Sequence, residues 1–455
     1  MPPRRAAASI ARMRATPAQP PQADQGLGVA DVVFVVSRAI DLVGVIDQGH
    51  CARVGVIASM IAERLGLAPA AHHRVFAAGL LHDIGVSSTH VHDLIADDTW
   101  SDVDHHCLRG ARLANLLPCL SGFAPIIRRH HTPWEDFSAM EPDAGARLAS
   151  NVVFLADRLD VWLAPAEKKN LRDCRTDAFA RANARLGRYF SPQLADAIGS
   201  LARDETLVSG LGRAALARRV DWLIRELPSP RLDPVDTRAL ARLLAAIVDA
   251  KCQYTAEHSF RVAAIARRLA TIQGLAPDRC AELEVAALLH DVGKLGVPDD
   301  ILNKPVALDP QESRVMRHHV VQSSELISRL PGLARVAQLA RWHHERLDGR
   351  GYPDGVLGRQ LPLEARILAA ADVFQAMTQT RAYRPGLRKD AVRCAMHVLG
   401  EDGQLDPDIV DTVDVRFEDF WDLACHREGI AGLDPVLVDL CRDSSPPRDA
   451  ERVTH

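Results

Sequence analysis

The stretch Leu289-His290-Asp291-Val292-Gly293-Lys294 contains a His-Asp pair, and a matching pair, His82-Asp83, lies earlier in the chain. His50 and His258 precede these two pairs at the same spacing, so the two copies are offset by 208 residues (258 − 50 and 290 − 82). The later matches are His106 with His319, His130-His131 with His343-His344, and Asp157 with Asp372, where the offset has grown to 215 (372 − 157). Loop-length differences between two copies of one fold produce such drift, so we predict two homologous halves of roughly 200 residues.

The local sequence pattern of each half is helical. Val54 and Ile57 follow His50 at the spacing of one helix face, and apolar residues precede His343 in the same way. Alternating strand-like patterns are nearly absent outside residues 31–36. The predicted fold class is therefore all-α, with two tandem helical bundles.

Proline and charge distribution suggest the domain boundaries. Three prolines fall between Leu227 and Pro234, which predicts a linker over residues 227–235. The predicted domains are then 29–226 and 236–442, with a flexible tail at 443–455. Residues 1–28 are rich in Pro and Arg and lack an acidic residue before Asp24. We predict a disordered tail there, with an organellar targeting peptide as the alternative.

The composition excludes several classes of protein. The 455-residue chain is 47% hydrophobic and 25% charged, which is typical of a globular protein and not of a disordered one. Its net charge of −4 gives no indication of a nucleic-acid polymer as partner. Apolar runs are far shorter than the ~20 residues that span a bilayer, so no membrane association is expected. The nine cysteines are scattered and form no C-x-x-C pair, which favours a cytoplasmic location.

The second half contains a set of five imidazoles and two carboxylates that could bind metal. The mixture suits iron, manganese or zinc better than calcium or magnesium. Seven ligands exceed the need of one tetrahedral ion, so two ions sharing a carboxylate are expected; such a pair activates water and stabilises displacement at phosphorus. The set comprises His258, His290, Asp291, His319, His343, His344 and Asp372.

Asp157 and Asp372 each lie in a segment that is apolar on all sides, which predicts a buried helix. A buried carboxylate costs several kcal/mol unless it binds a metal or is paired. Metal binding is the favoured interpretation because the position recurs after a His-His pair in both halves. The alternative is a carboxylate that caps a neighbouring helix or forms an ion pair with an arginine, for instance Arg158 or Arg366.

The second half resembles the HD-GYP family, metal-dependent phosphodiesterases of the HD superfamily that act in bacterial second-messenger signalling. The resemblance rests on the stretch Leu289–Pro298 and on His343-His344-Glu345-Arg346-Leu347-Asp348-Gly349-Arg350-Gly351-Tyr352-Pro353. It runs in order from about Asp249 to about Val410. It implies an HD-type helical bundle that hydrolyses cyclic di-GMP to pGpG or GMP.

Roles for individual residues follow from the resemblance. It implies that His258, His290, Asp291 and Asp372 bind one metal, and that Asp291 bridges to a second metal bound by His319, His343 and His344. Iron and manganese are the expected metals. Lys294 is expected to assist the attacking water together with Asp291. The implied substrate-binding residues are Gly351, Tyr352, Pro353, Arg381 and Arg384, although the two arginines could instead form a solvated face.

Several positions depart from the family pattern. Tyr254 stands where some members have a glutamate that recruits a third metal, so two metals are favoured. Gln375 replaces the second Asp of the D-x-x-D-A motif, and Leu405 replaces the Phe of F-D-P. Val320 and Ser323 replace the usual Pro and Gly after His319. These changes are expected to affect turnover more than metal binding.

The first half has an equivalent second candidate metal site but lacks two functional parts. Val86 replaces Lys294, and residues 132–137 contain no G-Y-P loop. We predict that this half binds metal and hydrolyses cyclic di-GMP poorly or not at all. A sensor, a second phosphohydrolase and a packing partner all remain open as its role. Its candidate ligands are His50, His82, Asp83, His106, His130, His131 and Asp157.

The favoured function is thus a two-metal cyclic di-GMP phosphodiesterase whose first domain is regulatory. One alternative is a non-catalytic module that binds metal and nucleotide and signals to a partner, which Gln375 and the incomplete first half would suit. Another is hydrolysis of a different nucleotide, or oxygen chemistry at a di-iron centre. A homodimer or a signalling protein partner is left open.

Overall fold

The computed structural model describes residues 26–43, 49–86, 104–137, 143–163, 171–232, 234–251, 257–381, 384–426 and 440. Within these ranges the chain forms α-helices and short 3-10 turns, and its β pairing is limited to isolated bridges. The all-α prediction is confirmed. None of the described helices is both long and apolar enough to cross a membrane. The tail at 443–455 and residues 1–25 lie outside the described residues.

The first half consists of eleven described helices and two 3-10 turns, Trp134–Asp136 and Pro192–Leu194. The helices are α1 (Val29–Asp41), α2 (His50–Arg64), α3 (Pro69–Leu81), α4 (Asp104–Asn115), α5 (Pro118–Ser121), α6 (Ala124–Arg129), α7 (Ala144–Leu163), α8 (Leu171–Ala184), α9 (Ala195–Arg203), α10 (Leu207–Gly210) and α11 (Arg213–Glu226).

The second half contains eleven further described helices and two 3-10 turns, Val292–Gly296 and Gly358–Gln360. The helices are α12 (Pro234–Lys251), α13 (His258–Ile272), α14 (Pro277–Leu289), α15 (Asp299–Leu302), α16 (Pro310–Arg317), α17 (His319–Ile327), α18 (Ala334–Trp342), α19 (Leu363–Thr378), α20 (Lys389–Glu401), α21 (Pro407–Val415) and α22 (Phe417–Cys425).

The helices reproduce the repeat found in the sequence. Helices α2 and α13 each have 15 residues, and α3 and α14 each have 13, beginning at a proline in the first turn. Helix α2 packs against α3 and α7, and α13 packs against α14 and α19 in the same way. Both bundles therefore bring together, in the same way, the helix that begins at the first histidine, the helix that ends before the His-Asp pair and the helix that carries the last aspartate.

Helix α1 lies at the boundary between the halves. It packs on α2 and α3 of its own half and on α12, α17 and the Val292–Gly296 turn of the other. Val32, Val33, Val35 and Val36 are all buried. This apolar run, residues 31–36, was the one strand-like pattern in the sequence. It is a helix because two sets of neighbours bury it on nearly all sides.

The predicted linker has ordered contacts. Helix α11 ends at Glu226 and α12 begins at Pro234, so the last two residues of the predicted linker, 227–235, lie in helix α12. The amide of Leu232 donates to the carbonyl of Leu27 at 2.7 Å, and Leu27 is buried. The predicted tail at 1–28 therefore extends too far, because residues 27 and 28 pair with the linker and are part of the first domain.

Candidate metal centres

The first histidine of each set begins a helix whose start is fixed by a buried aspartate. The residues before His50 and His258 have φ values of 95° and 68°, in the left-handed region. Asp249 accepts hydrogen bonds from the amide and hydroxyl of Ser259 at 3.0 and 2.7 Å. Asp41 accepts the amide of Cys51 at 2.8 Å in the first half. Both carboxylates thus act as helix caps that orient the first turn.

In the second half, Asp291 lies between two groups of imidazoles. Its Oδ2 is 3.2 Å from Nε2 of His290 and 3.7 Å from Nε2 of His258. Its Oδ1 is 3.1 Å from Nε2 of His319 and 3.8 Å from Nε2 of His343. Each oxygen of one carboxylate therefore faces its own pair of histidines, which is the arrangement needed to bridge two ions.

Asp372 completes the centre from helix α19. Its Oδ1 is 3.2 Å from Nε2 of His258, and its Oδ2 is 3.8 Å from Nδ1 of His344. Arg366, the alternative partner considered for this carboxylate, pairs with Asp406 instead. The structure therefore brings together all seven residues that the sequence predicted for this centre, and their assignment as ligands remains a proposal.

A glycine allows the His-Asp turn to approach the next helix. A Cβ atom on Gly293 would lie 2.1 Å from the carbonyl oxygen of His319, a distance that no side chain can adopt. The amide of Gly293 donates to the hydroxyl of Ser323 at 2.9 Å. Ser323, a departure from the family pattern, thus helps to hold His319 beside Asp291.

The imidazoles are oriented by hydrogen bonds on the side away from Asp291. The Nδ1 atoms of His290, His319 and His343 donate to the carbonyl oxygens of residues three positions earlier, at 2.6–2.7 Å. A carbonyl can only accept, so Nδ1 carries the proton and Nε2 presents its lone pair to the centre. Such outer hydrogen bonds are typical of metal-binding histidines.

The centre has the electrostatic character of a metal site. Nε2 of His258, Nε2 of His290 and Oδ1 of Asp291 are buried and lack a hydrogen-bond partner among the described residues. Burial, with a smaller effect of neighbouring His319, lowers the pKa of His344 to about 3, so its imidazole is neutral at pH 7. Burial would raise the pKa of Asp291, but His290 and Lys294 hold it well below the usual range. A neutral His344 and an ionised Asp291 suit a divalent cation.

Gln379 orients His258 and was not identified from the sequence. Its Oε1 accepts the Nδ1–H of His258 at 2.9 Å. Gln375, which replaces the second aspartate of the motif, instead donates to the carbonyl of Ala424 at 3.4 Å. In the first half Asp160 is retained at this position and binds Nδ1 of His50 at 2.8 Å. In the second half the hydrogen-bond acceptor for His258 is therefore Gln379, one helical turn after position 375. No sequence motif indicates this change.

Replacing Gln379 with leucine should lower metal affinity in the second half by ~10–100-fold, because His258 loses the acceptor that fixes its tautomer. Metal-dependence curves of activity would measure this shift. Gln379→Glu keeps an acceptor oxygen and should retain most of the affinity. Equal losses in both variants would contradict a positioning role through hydrogen bonding.

The Gly-Tyr-Pro segment lies against the metal centre. Buried Glu345 accepts the amides of Asp354, Gly355 and Val356 at 2.7, 3.1 and 3.0 Å and so fixes the segment. The Tyr352 ring is 4.9 Å from the ring of His344. The guanidinium of Arg317 lies over the same tyrosine, 4.9 Å from its centroid. Tyr352 therefore forms an aromatic edge to the centre.

Glycine is required within this segment. A Cβ on Gly351 would lie 2.5 Å from the amide nitrogen of Arg346. The segment can therefore close onto its own beginning only with glycine at this position. Sequence reasoning named Gly351 and Pro353 but not Glu345, although Glu345 directly follows the His-His pair.

The other expected substrate-binding and catalytic residues differ in their surroundings. Lys294 forms an ion pair with Asp291 at the mouth of the centre. Arg384 donates to the carbonyls of Ala376, Met377 and Pro385 at 2.8–3.3 Å, so its guanidinium caps the end of helix α19. A guanidinium has five N–H donors, so these three contacts do not exclude a phosphate, and the predicted phosphate contact by Arg384 remains a proposal. Arg381 remains a proposed phosphate ligand.

The first half brings its seven predicted residues together in the same way. Asp83 has Oδ2 at 3.3 Å from Nε2 of His82 and 3.7 Å from Nε2 of His50, and Oδ1 at 3.6 and 3.7 Å from Nε2 of His106 and His130. Asp157 has Oδ1 at 3.5 Å from Nε2 of His50 and Oδ2 at 3.8 Å from Nδ1 of His131.

The two centres differ in what surrounds the last aspartate of each set, Asp157 on α7 and Asp372 on α19. Arg158 is fully buried and donates to Oδ2 of Asp157 from Nη2 at 2.8 Å and from Nε at 3.1 Å. The arginine pairing left open for Asp157 in the sequence therefore occurs in this half. In the second half the corresponding residue is Val373, and Asp372 faces histidines alone.

Comparisons with known proteins agree with this architecture. The family model described as HD domain matches residues 48–162 and, in a second version, residues 242–409. The chain is 32% identical to 3'3'-cGAMP-specific phosphodiesterase 1 of Vibrio cholerae, over 86% of this chain and 92% of that protein. It is 40% identical to the cyclic di-GMP phosphodiesterase response regulator RpfG of Xanthomonas campestris, over 34% of this chain and 41% of that protein.

A solved structure shares the fold across both halves. The crystal structure of a cyclic GMP-AMP specific phosphodiesterase from Vibrio cholerae aligns with a TM-score of 0.60 at 24% identity. The alignment covers 87% of this chain and 98% of the other. The tandem arrangement of two helical bundles is thus shared with that protein.

Proposed function

Since the chain belongs to the HD-GYP family, in a tandem arrangement of two HD domains, we propose that its second half is a metal-dependent phosphodiesterase that hydrolyses a cyclic dinucleotide. The observation that carries this proposal is the position of Asp291 between two histidine pairs, beside Lys294. A bridged pair of cations at this place suits in-line attack of water on a phosphodiester.

We propose that all seven predicted residues of the second half bind two divalent ions, with Asp291 shared between them. When bound, the ions supply a hydroxide near neutral pH and neutralise charge on the phosphate. Iron and manganese remain the proposed metals, since imidazole and carboxylate ligands suit both. The unpartnered Nε2 atoms of His258 and His290 support this ligand set.

The chain's own groups define where the substrate lies. Lys294 is partly exposed beside Asp291 and can donate to a phosphate oxygen as the scissile bond breaks. The face of Tyr352, flanked by Arg317, suits stacking against a nucleobase. Gly351 and Pro353 flank this tyrosine in the proposed substrate-binding segment, and Arg381 and Arg384 are the proposed donors to the second phosphate.

The substrate favoured by the comparisons is 3'3'-cGAMP. The relative that matches over both halves is specific for that nucleotide, whereas RpfG, a cyclic di-GMP phosphodiesterase, matches over 34% of the chain. Cyclic di-GMP, which the sequence resemblance implied, is the second candidate, because the RpfG match has the higher identity of the two. Both nucleotides carry two phosphodiester bonds and guanine, so the same centre could act on either.

We propose that the first half is regulatory. Val86 is apolar where the second half has Lys294, and the Thr132–Phe137 segment provides no tyrosine at the position of Tyr352. The first half therefore lacks the lysine and the tyrosine that the second half offers for phosphate binding and base stacking. The cytoplasmic location predicted from cysteine usage also remains a proposal.

A substrate panel tests the function. The purified chain, loaded with manganese or ferrous iron, is incubated with 3'3'-cGAMP, cyclic di-GMP, linear dinucleotides and deoxynucleoside triphosphates, and products are separated by chromatography. We expect linear products from 3'3'-cGAMP and slower turnover of cyclic di-GMP. Binding without turnover would instead support the non-catalytic signalling module, and activity confined to deoxynucleotides would support the other phosphohydrolase.

A further inference from the structure

Helix α12 ends in a lysine whose side chain is fully buried. Lys251 is the last residue of the helix. Its ammonium donates to the carbonyl of Leu295 at 2.8 Å and lies 3.3 Å from a carboxylate oxygen of Asp299. A buried ammonium without partners is costly, so the chain that supplies these two oxygens is held against Lys251.

Both contacts of Lys251 lie just beyond Lys294. Leu295 follows Lys294 directly within the turn Val292–Gly296, and Asp299 begins helix α15 three residues after the turn ends. Helix α12 packs against this turn. Short 3-10 turns have poorer hydrogen-bond geometry than α-helices, so their position depends on their neighbours. Lys251 therefore ties the chain after Lys294 to α12 at two points.

Helix α17 holds the other side of the turn. The amide of Gly293 donates to the hydroxyl of Ser323 at 2.9 Å. A Cβ atom on Gly296 would lie 2.9 Å from the side-chain amide of Gln322, so the turn and α17 are in close contact. The side chain of Lys294 therefore extends from a backbone that is anchored both before and after it.

The first half has neither of these lysines. At the 208-residue offset of the repeat, Val43 corresponds to Lys251 and Val86 to Lys294, and both valines are buried. The turn itself is present in both halves, because the amides of Val86 and Lys294 each donate at 2.8 Å to the carbonyl of the aspartate three positions earlier. The fold of the turn therefore does not require the buried lysine, which occurs in the half that has Lys294.

We propose that Lys251 is a positioning residue for hydrolysis in the second half. Its ammonium holds the backbone after Lys294, so that the Lys294 side chain lies beside Asp291 where the scissile phosphate is expected. A displacement of about 1 Å at a reacting group can cost ~10²-fold in rate, so loss of this contact lowers turnover. The effect on rate rests on the activity proposed above, whereas the effect on the turn does not.

A double-mutant cycle in the manganese-loaded full chain tests the proposal. Lys251→Met keeps the length of the side chain and removes its charge and its donors. With whichever of 3'3'-cGAMP and cyclic di-GMP turns over faster, we expect kcat to fall ~10–100-fold and KM to change less than ~3-fold. In the Lys294→Met background the same change should lower kcat by less than ~3-fold. Equal losses in both backgrounds would overturn the proposal.

Hydrogen–deuterium exchange tests the contact itself and needs no activity. The amides of Lys294 and Val297 form hydrogen bonds within the turn. We expect both to exchange ~10-fold faster or more in Lys251→Met, because a hydrogen bond from a charged donor is lost. Unchanged exchange in the folded variant would overturn the proposal. A wild-type chain that hydrolyses neither nucleotide, with faster exchange in Lys251→Met, would reject the proposed activity alone.

Lys304→Met is the matched control, because Lys304 pairs with Glu312 in the same half but is partly exposed and lies outside the turn. It should keep the wild-type kcat and exchange rates. Circular dichroism and manganese content, both expected to match wild type, establish that each variant is folded and retains its metal centre.

Asp299→Asn replaces Lys251→Met if the methionine variant does not fold. The Asp299 side chain is 24% exposed, and its replacement leaves Lys251 in contact with Leu295 but without a charged partner. We expect a smaller loss of kcat that again disappears in the Lys294→Met background. Wild-type turnover and exchange in Asp299→Asn would then overturn the proposal.

Discussion

Replacing Asp291 with asparagine should lower cyclic dinucleotide hydrolysis by ~10³-fold or more. The side chain faces four histidines, and its two oxygens would no longer both carry charge toward two cations. Loss of an outer hydrogen bond to a metal ligand already costs ~10–100-fold, so loss of a bridging ligand should cost considerably more. Product formation under saturating metal and substrate would measure the effect.

Asp83→Asn is the matched control because Asp83 has the same position in the first half. It faces His82, His50, His106 and His130 at similar distances. If the first half is regulatory, this folded variant should retain hydrolysis within a fewfold of wild type. Full activity in Asp291→Asn, or equal inactivation by both changes, would rule out the second half as the active centre.

Replacing Arg158 with valine should destabilise the metal-free chain by about 3–5 kcal/mol, since it removes the guanidinium that pairs with the buried carboxylate of Asp157. Both residues are essentially inaccessible to solvent, and two hydrogen bonds are lost. Valine is the residue of the second half, Val373, where the sequence predicts a metal beside Asp372. Denaturant unfolding with and without chelator would measure the difference.

Added divalent cation should recover much of the lost stability, because Asp157 would gain a metal partner in place of the guanidinium. Arg181→Ala serves as the control, since its ion pair with Asp177 is exposed and such pairs contribute ~0–1 kcal/mol. A valine variant as stable as wild type in chelator would mean that Arg158 does not compensate the charge of Asp157.

The sequence was sufficient to predict the helical fold and the convergence of both ligand sets. Histidines and aspartates recurred at matching positions, and Asp372 lay in a helix too apolar to expose it. Asp41 and Asp249, which fix the starts of helices α2 and α13, recur at the same 208-residue offset (249 − 41). They could have been found by extending the comparison between the two halves. Periodicity in the repeat was therefore the most informative signal.

Contacts made by side chains across the fold could not be predicted. Gln379 and Arg384 lie in irregular chain after helix α19, where their partners depend on how that chain turns back. Residues 31–36 are helical because elements of both domains bury them, and no local sequence pattern indicates such burial. Lys251 differs between the halves, so a comparison that seeks shared positions passes over it.

The central claim is that the second half assembles two cations around Asp291. Anomalous diffraction from crystals of the manganese-loaded chain tests it directly, because the signal locates each ion. We expect two peaks about 3.5–4 Å apart, one beside His258 and His290 and the other beside His319 and His343. A single peak, or none within reach of Asp291, would contradict the claim.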